Sequence, residues 1–254
     1  MASLRRTRRL AILVPLLLLL NSSPAEPQSR APTQPLEEIV RRFAAKESEY
    51  AGAHSLYRYR LTVRVQELGE ENRVLGEFEQ VGDVDFDPSG RRRMRLVENP
   101  RTDLLYLSIP RVELSDLEFI PLFVAPPDDI PKYDITYVDR ERVGEVDTYL
   151  FRLQPKEVVR LPEELFEGVV DVDAEHLDVV RALGKLLPVR GGGVFGDYFK
   201  TVELFREPVD AYLFTTFVRA DDIISARGET VRVRLTLRFS NYERIREPAP
   251  AKSQ

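Results

Sequence analysis

The sequence predicts a mainly β fold of the α+β class, built around one large antiparallel sheet with few helices. Three observations lead to this prediction. About a dozen runs alternate apolar and polar residues at hairpin spacing, which indicates strands with one buried face. A single segment shows clear amphipathic helical periodicity. Parallel β-α-β alternation is missing, so a doubly wound nucleotide-binding fold is not expected.

The first 25 residues predict a cleaved signal peptide for export. Four arginines precede an apolar run at 10–20, and the small residues Ser23 and Ala25 frame a cleavage site. This run is shorter than the about 20 residues that a membrane-spanning helix needs, which argues against a retained anchor. The leucine-rich run is typical of general secretion, although Arg8-Arg9 also fits a twin-arginine signal.

Residues 26–35 contain three prolines among polar residues and predict a linker. The segment that begins at Leu36 has apolar residues at helical spacing and acids in its first turn, which predicts an amphipathic helix. From Tyr57 the period changes to two, and prolines break the insert around "SDLEFIPLF" into short helical turns. We therefore predict one domain over 36–246, followed by a disordered tail at 247–254.

Two nine-residue runs share one pattern: "YRYRLTVRV" at Tyr57–Val65 and "VRVRLTLRF" at Val231–Phe239. In both runs the arginines take the solvent-side positions and the apolar residues the buried ones. A common half-buried strand geometry explains this pattern, with long basic side chains covering it. The flanking sequences differ, which argues against duplication. We therefore predict that these arginines form a solvated face.

Composition excludes several classes of function. The formal net charge is −5, and removal of four arginines with the signal peptide makes it −9. Such an acidic protein is a poor candidate for binding nucleic acid or anionic membranes through net charge. The absence of cysteine excludes disulfides, thiolate zinc sites, cysteine nucleophiles and a lipid-modified cysteine. After processing we expect a soluble monomer without a metal or cofactor, not an integral membrane protein.

No motif in the sequence predicts a catalytic residue. "GGGVFG" at 191–196 matches a dinucleotide fingerprint, but strand-like sequence follows where the fingerprint needs a helix. The acid-rich segment 171–178 lacks the glycine of a calcium loop and a second histidine, so we interpret it as a solvated strand end. The two histidines, His54 and His176, lie in no nucleophile motif. Paired carboxylates of glycoside chemistry stay open, because 42 acids give many chance pairs.

The C-terminal half carries a family resemblance. "FEGVVDVDAEHLDVVRALGK", "VELFREPVDAYLFTTFVRADDII" and "VRVRLTLRFSNYERI" resemble the outer-membrane lipoprotein-sorting proteins of Gram-negative bacteria, which are related in fold to the LolA/LolB-like periplasmic lipoprotein carriers. "VDTYLFRLQPK" is similar to a strand of those families. The resemblance covers residues 36–246 and rests on strand patterns. It implies an incomplete β-barrel whose apolar concave face is covered by a lid, made of the N-terminal helix and the short helical insert.

The resemblance also implies a non-enzymatic periplasmic carrier that moves lipoprotein acyl chains, or another lipid, toward the outer membrane. Transport proteins of the inner and outer membranes are the partners that this role implies, besides the cargo. The predicted cavity face comprises Tyr59, Leu61, Val63, Phe78, Met94, Leu96, Val233, Leu235 and Leu237. The predicted lid helix contributes Leu36, Ile39, Val40 and Phe43. The alternatives are an envelope-stress sensor or peptide-binding module of the related fold, and a hydrolase that depends on His176.

Overall fold

The computed structural model describes residues 32, 34–87, 89–156, 164–187, 195 and 198–245. It contains one α-helix and eleven strands within these residues: α1 Leu36–His54, β1 Tyr57–Leu68, β2 Val74–Phe86, β3 Arg92–Leu96, β4 Arg101–Thr102, β5 Tyr133–Val143, β6 Val146–Pro155, β7 Leu165–Asp173, β8 Val179–Leu187, β9 Val202–Val209, β10 Tyr212–Ala226 and β11 Glu229–Arg244. The predicted signal peptide 1–25 and tail 247–254 lie outside the described residues, as does most of the linker 26–35.

The strands form a single antiparallel sheet in the order β3-β2-β1-β11-β10-β9-β8-β7-β6-β5, and the short β4 also pairs with β2. The first and last strands meet in the middle of this order, while the edges at β3 and β5 do not pair with each other. The sheet is therefore curled but not closed. This confirms the predicted fold class, a mainly β domain with an incomplete β-barrel and one N-terminal helix.

The two similar runs of the sequence lie side by side as β1 and β11. Their antiparallel register places Arg64 opposite Thr236 and Thr62 opposite Arg238. Each arginine of these pairs therefore faces a threonine, which avoids like charges in directly opposed positions. These side chains lie on the outer face of the sheet, where Arg64 also pairs with Glu79 of β2 at 2.5 Å. The shared pattern thus reflects the pairing of these two strands with each other at the centre of the sheet.

The inner face of the sheet is apolar and is covered by two elements. One is α1, whose buried side is marked by Ile39 and Phe43, and the Phe43 ring lies 6.0 Å from that of Phe151 on β6. The other is residues 103–132, which we call the covering loop. It contains the short 3₁₀ turns Leu114–Leu117 and Pro127–Lys132, in agreement with the helical turns expected there. Both elements pack against the concave side through buried apolar residues.

Aromatic rings close one end of the curled sheet, where β1 begins and β11 ends. The His54 ring, at the end of α1, lies 5.4 to 5.6 Å from four other rings. We call this cluster the aromatic plug; it consists of His54, Tyr59, Phe86, Phe123 and Phe214. Burial in the plug, with the positive charges of Arg92 and Arg206 nearby, lowers the pKa of His54 to about 4.

The plug makes the stability of the protein depend on pH. Because folding lowers the pKa of His54 from an unfolded value near 6.5, the unfolded state binds more protons as the pH falls below that value. We expect about 3 kcal/mol of unfolding free energy to be lost between pH 6.5 and pH 4 through this group. Urea unfolding of the His54→Gln variant should show a pH dependence smaller by that amount. His176→Gln, which changes an exposed histidine, is the matched control; an equal pH slope in both variants would refute the assignment.

The acid-rich segment 171–178 was predicted to be a solvated strand end, but two of its carboxylates are buried. Asp171 is 1% exposed and accepts a hydrogen bond from Arg181 at 2.7 Å. Asp178 is 5% exposed and accepts two bonds from Lys46 of α1, both 2.8 Å long. The prediction was wrong for these two carboxylates because their basic partners lie on another strand and on the helix. These acids attach structural elements to one another.

Candidate functional site

The structure brings most of the predicted cavity-face residues together on the inner face. Tyr59, Leu61, Val63, Phe78, Val233, Leu235 and Leu237 are all buried. Met94 and Leu96 are half-buried on β3 at the sheet edge. Ile39, Val40 and Phe43 of the predicted lid helix are buried, and Leu36 is partly buried in its first turn. The role of these residues in lipid contact stays a prediction.

A cavity of about 350 Å³ lies between the sheet and its cover. Its floor consists of Val65, Ile224 and Val233 on three neighbouring strands. Its roof consists of covering-loop residues 106–109 together with Phe195, Tyr198 and Phe199. The volume falls within the range of small-molecule binding sites, and apolar and aromatic side chains predominate in the lining. Of the predicted cavity-face residues, Val233 alone lines this cavity.

The cavity lies at the end of the curled sheet opposite the aromatic plug. Its floor residue Ile224 is two positions from the end of β10, next to the turn that leads into β11. Tyr198 lines the cavity and is 40% exposed, so the lining reaches the surface there. The domain is thus a half-barrel with a plugged end and a cavity at the other end.

Beneath the covering loop, the described residues leave little free space over Tyr59, Leu61 and Leu237. A second cavity of only about 20 Å³ lies beneath the covering loop, lined by Tyr59, Leu61 and Leu237 of the predicted face. This volume is about that of one water molecule. These three residues of the predicted face therefore lie against the protein's own covering loop, including Leu117 and Ile120. A larger ligand on this face requires the loop to move.

Glu67 anchors the covering loop beside the larger cavity. Its carboxylate is fully buried and accepts hydrogen bonds from the backbone N–H groups of Leu105, Tyr106 and Leu107 at 2.7, 2.8 and 2.7 Å. Gly76 allows the loop to approach the sheet, because a Cβ there would lie 2.8 Å from the carbonyl oxygen of Asp103. Glu67 therefore fixes the start of the cavity roof.

Gln80 is the second anchor of the loop. Its side-chain amide accepts a hydrogen bond from the Val112 N–H at 2.9 Å and donates one to the Val112 carbonyl oxygen at 2.7 Å. Gln80 and Val112 are both buried, so the two hydrogen bonds from the Gln80 side chain replace those that a neighbouring strand would supply to the backbone of Val112. The loop is thus attached to the sheet by side chains where it has no strand partner.

A buried ion pair forms the third anchor. Arg206 of β9 and Glu47 of α1 are bonded by two contacts, of which the Nη2 to Oε2 distance is 3.0 Å, and both side chains are at most 1% exposed. Arg206 also donates to the Leu122 carbonyl oxygen at 2.8 Å. Glu47 accepts from the Val124 N–H at 2.8 Å. This pair joins the sheet, the helix and the covering loop at one point.

Replacement of Glu67 with Gln tests the first anchor. A glutamine has one acceptor oxygen, so the N–H groups of residues 105–107 lose part of their hydrogen bonding, at a cost of about 1–3 kcal/mol in unfolding free energy. Hydrogen exchange at these amides should speed up, while exchange in the strands stays slow. Glu70→Gln, the same change in an exposed turn, is the control. Unchanged exchange at 105–107 in Glu67→Gln would contradict the assignment.

Among known proteins, several solved structures are similar to this chain. No protein-family model and no curated protein sequence matches the chain. A DUF1329 family protein from Desulfovibrio piger is 16% identical, with 86% of this chain and 97% of that one covered at a TM-score of 0.40. A LolA superfamily protein from Nitrosomonas europaea is 13% identical, with coverage of 81% and 95% at 0.33. A putative outer membrane lipoprotein-sorting protein domain from Vibrio parahaemolyticus is 12% identical, with coverage of 79% and 93% at 0.33.

The solved structures similar to this chain thus include a domain of the lipoprotein-sorting family that the sequence resembles.

Two further observations concern the described residues. None of their helices has the length and apolar character needed to cross a membrane. No group of three or more histidine, aspartate or glutamate side chains among them could hold a metal ion.

Proposed function

We propose that the protein is a periplasmic carrier that binds an acyl chain of a lipid or lipoprotein between its curled sheet and the covering loop. The observation that supports this most is the cavity of about 350 Å³, lined mainly by apolar and aromatic residues with polar groups such as Ser108 among them, at one end of a half-barrel whose other end is plugged. The signal peptide predicted at 1–25 supports export to the periplasm. Delivery toward the outer membrane, with donor and acceptor proteins at the two membranes, is part of the proposal, and we assign no catalytic step.

Burial of methylene groups supplies enough free energy for such a role. Each buried methylene contributes about 0.8 kcal/mol, so a chain of roughly 16 carbons gains on the order of 10 kcal/mol. Ordering of the chain and displacement of the covering loop offset part of this gain. A carrier must also release its cargo. The covering loop is held by its polar anchors and by buried residues such as Val112 and Ile120, so opening for release requires these contacts to break together.

Native mass spectrometry of the processed protein, purified from a periplasm without detergent, tests the proposal. We expect a bound lipid or acylated peptide, identified after solvent extraction. Val233→Phe adds an aromatic ring to the cavity floor and should reduce the bound fraction several-fold without unfolding the sheet. Val138→Phe makes the same change at an exposed position of β5 and should leave binding unchanged. A clean apo mass, with no uptake of added fatty acid, would refute the carrier function.

A peptide-binding module, as in an envelope-stress sensor, is the second candidate function. The observation that favours it is the outer edge of β5, which has no strand partner among the described residues. An extended peptide adds to such an edge through backbone hydrogen bonds. Val138→Pro would then abolish peptide capture and leave fatty-acid binding intact. The carrier proposal predicts the opposite dependence, on Val233 and not on β5.

A further inference from the structure

The two cavities beneath the covering loop lie over the same pair of central strands. The larger one has Val65 of β1 and Val233 of β11 in its lining, and the smaller one has Leu61 of β1 and Leu237 of β11. Tyr59, at the far side of the smaller cavity, is six positions from Val65 along β1. This separation corresponds to about 20 Å, the length scale of one extended acyl chain.

The inner face between the two cavities is continuous and apolar. Leu61 and Val63 of β1, with Leu235 and Leu237 of β11, are each at most 1% exposed. The Gln80 anchor lies beside this row, because Gln80 is opposite Val63 in the register of β1 and β2. A chain that spans both cavities therefore displaces the covering loop at this anchor.

Arg92 brings a positive charge to the smaller cavity. Its half-buried side chain lines this cavity, beneath the covering loop. The next residue, Arg93, differs from it: its side chain is 65% exposed and pairs with Asp87 at 2.9 Å. Within the described ranges, Arg92 forms no ion pair with a carboxylate. It is thus a cation at an apolar cavity, with no anion of the described chain to balance it.

Tyr59 adds a hydroxyl group to the same cavity. The residue is 2% exposed, and its hydroxyl makes no hydrogen bond of standard geometry among the described residues. Burial raises the pKa of Tyr59, and the charge of Arg92 with a loose contact from its guanidinium opposes that rise. A buried polar group without a good partner calls for an explanation such as a ligand atom. The cavity of about 20 Å³ has room for one oxygen atom there.

The larger cavity is unsuited to an acidic group. No charged side chain is among its described lining residues. The buried carboxylate of Glu67 lies beside it, because Glu67 is opposite Val233 and bonds to the N–H groups of two roof residues, Tyr106 and Leu107. An anion placed there would be close to a like charge and without a cation. An acidic ligand is therefore oriented, with its chain toward Val233 and its head toward Arg92.

We infer that Arg92 and Tyr59 bind the carboxylate of a fatty acid whose chain follows β1 and β11 into the larger cavity, an inference that rests on the proposed carrier function. The guanidinium supplies charge-assisted hydrogen bonds, and the hydroxyl donates one more. One carboxylate oxygen takes the free space, and the covering loop shifts to admit the rest. An esterified acyl chain has no negative charge for Arg92, so the site selects a free fatty acid over the acyl group of a lipoprotein.

Competition binding at neutral pH with palmitate and methyl palmitate, both delivered from cyclodextrin, tests the inference. The wild type should bind palmitate at least about tenfold more tightly than its uncharged ester. Arg92→Gln should weaken palmitate binding by at least about tenfold and leave that of methyl palmitate within about twofold, which also shows that the variant is folded. Arg93→Gln, the same change at an exposed position of β3, is the matched control and should bind both ligands as the wild type does.

The outcomes separate the subsite from the function on which it rests. Equal affinity of the wild type for the acid and the ester, or equal weakening of both in Arg92→Gln, would overturn the carboxylate subsite and leave the carrier function standing. Binding of neither ligand by the wild type would refute the carrier function, and this inference with it.

Photoreactive fatty acids test the orientation. A diazirine near the methyl end of palmitic acid should label residues 106–109 and the strand segment around Val233. A diazirine next to the carboxylate should label β3 and the covering loop at 114–122, and Arg92→Gln should abolish this second pattern. The reverse arrangement, with the methyl end at β3, would overturn the inference.

Discussion

Replacing Arg206 with Met should lower the free energy of unfolding by about 3–5 kcal/mol. The substitution leaves the Glu47 carboxylate buried without its cation, and a buried unpaired charge is among the most destabilising changes a domain can undergo. It also removes the donor to the Leu122 carbonyl oxygen, so the covering loop loses one of its three anchors. Urea unfolding at neutral pH measures the loss.

Two variants make this prediction specific. Replacing Glu47 with Leu in the Arg206→Met background removes the buried charge as well and should regain part of the stability. Arg234→Met removes an ion pair on the outer face, where Arg234 donates to Asp221 at 2.8 Å, and should cost at most about 1 kcal/mol. A loss in Arg206→Met no larger than that in Arg234→Met would contradict the role of the buried pair.

Replacing Phe43 with Ala should cost about 3–5 kcal/mol of unfolding free energy. Phe43 is fully buried and packs between α1 and the inner face of the sheet, so truncation leaves a cavity in the core. A helix that merely rested on the sheet as a detachable lid would lose far less. The structure thus makes α1 part of the core, so the proposed carrier function assigns opening to the covering loop and not to α1.

Phe217→Ala is the matched control for this prediction. Phe217 is half-buried on the outer face, beneath the guanidinium of Arg238 at 5.7 Å, so the same truncation there removes less buried area. We expect less than half of the Phe43→Ala effect in thermal or urea unfolding. Equal and small losses in the two variants would show that α1 contributes little to the core.

The regular part of the fold could be predicted from the sequence because its signal is local. Alternation of apolar and polar residues located the strands, and it placed Leu61 and Val63 on the buried face. The same alternation also indicates two of the residues that anchor the covering loop. Glu67 and Gln80 stand at positions where the period of β1 and β2 calls for an apolar residue, and a polar residue in that phase indicates a buried hydrogen-bonded group.

The covering loop and the cavity could not be predicted in the same way. The roof residues Tyr106 and Tyr198 lie in irregular segments more than 90 positions apart, and periodicity says nothing about where such segments pack. The cations that pair with Asp178 and Glu47, which are Lys46 and Arg206, lie 132 and 159 positions away in sequence. Seven of the nine predicted cavity-face residues are buried and Met94 and Leu96 are half-buried, and the cavity of about 350 Å³ lies over Val233 alone among them.

Photo-crosslinking with a fatty acid that carries a diazirine on its chain tests the central claim most directly. The processed protein is loaded with the probe, irradiated and digested, and the adducts are located by peptide mass spectrometry. Binding between the sheet and the covering loop predicts adducts on residues 106–109 and on the strand segments around Ile224 and Val233. It also predicts that Val233→Phe removes them. Adducts confined to the outer face of the sheet, or unaffected by Val233→Phe, would contradict the account.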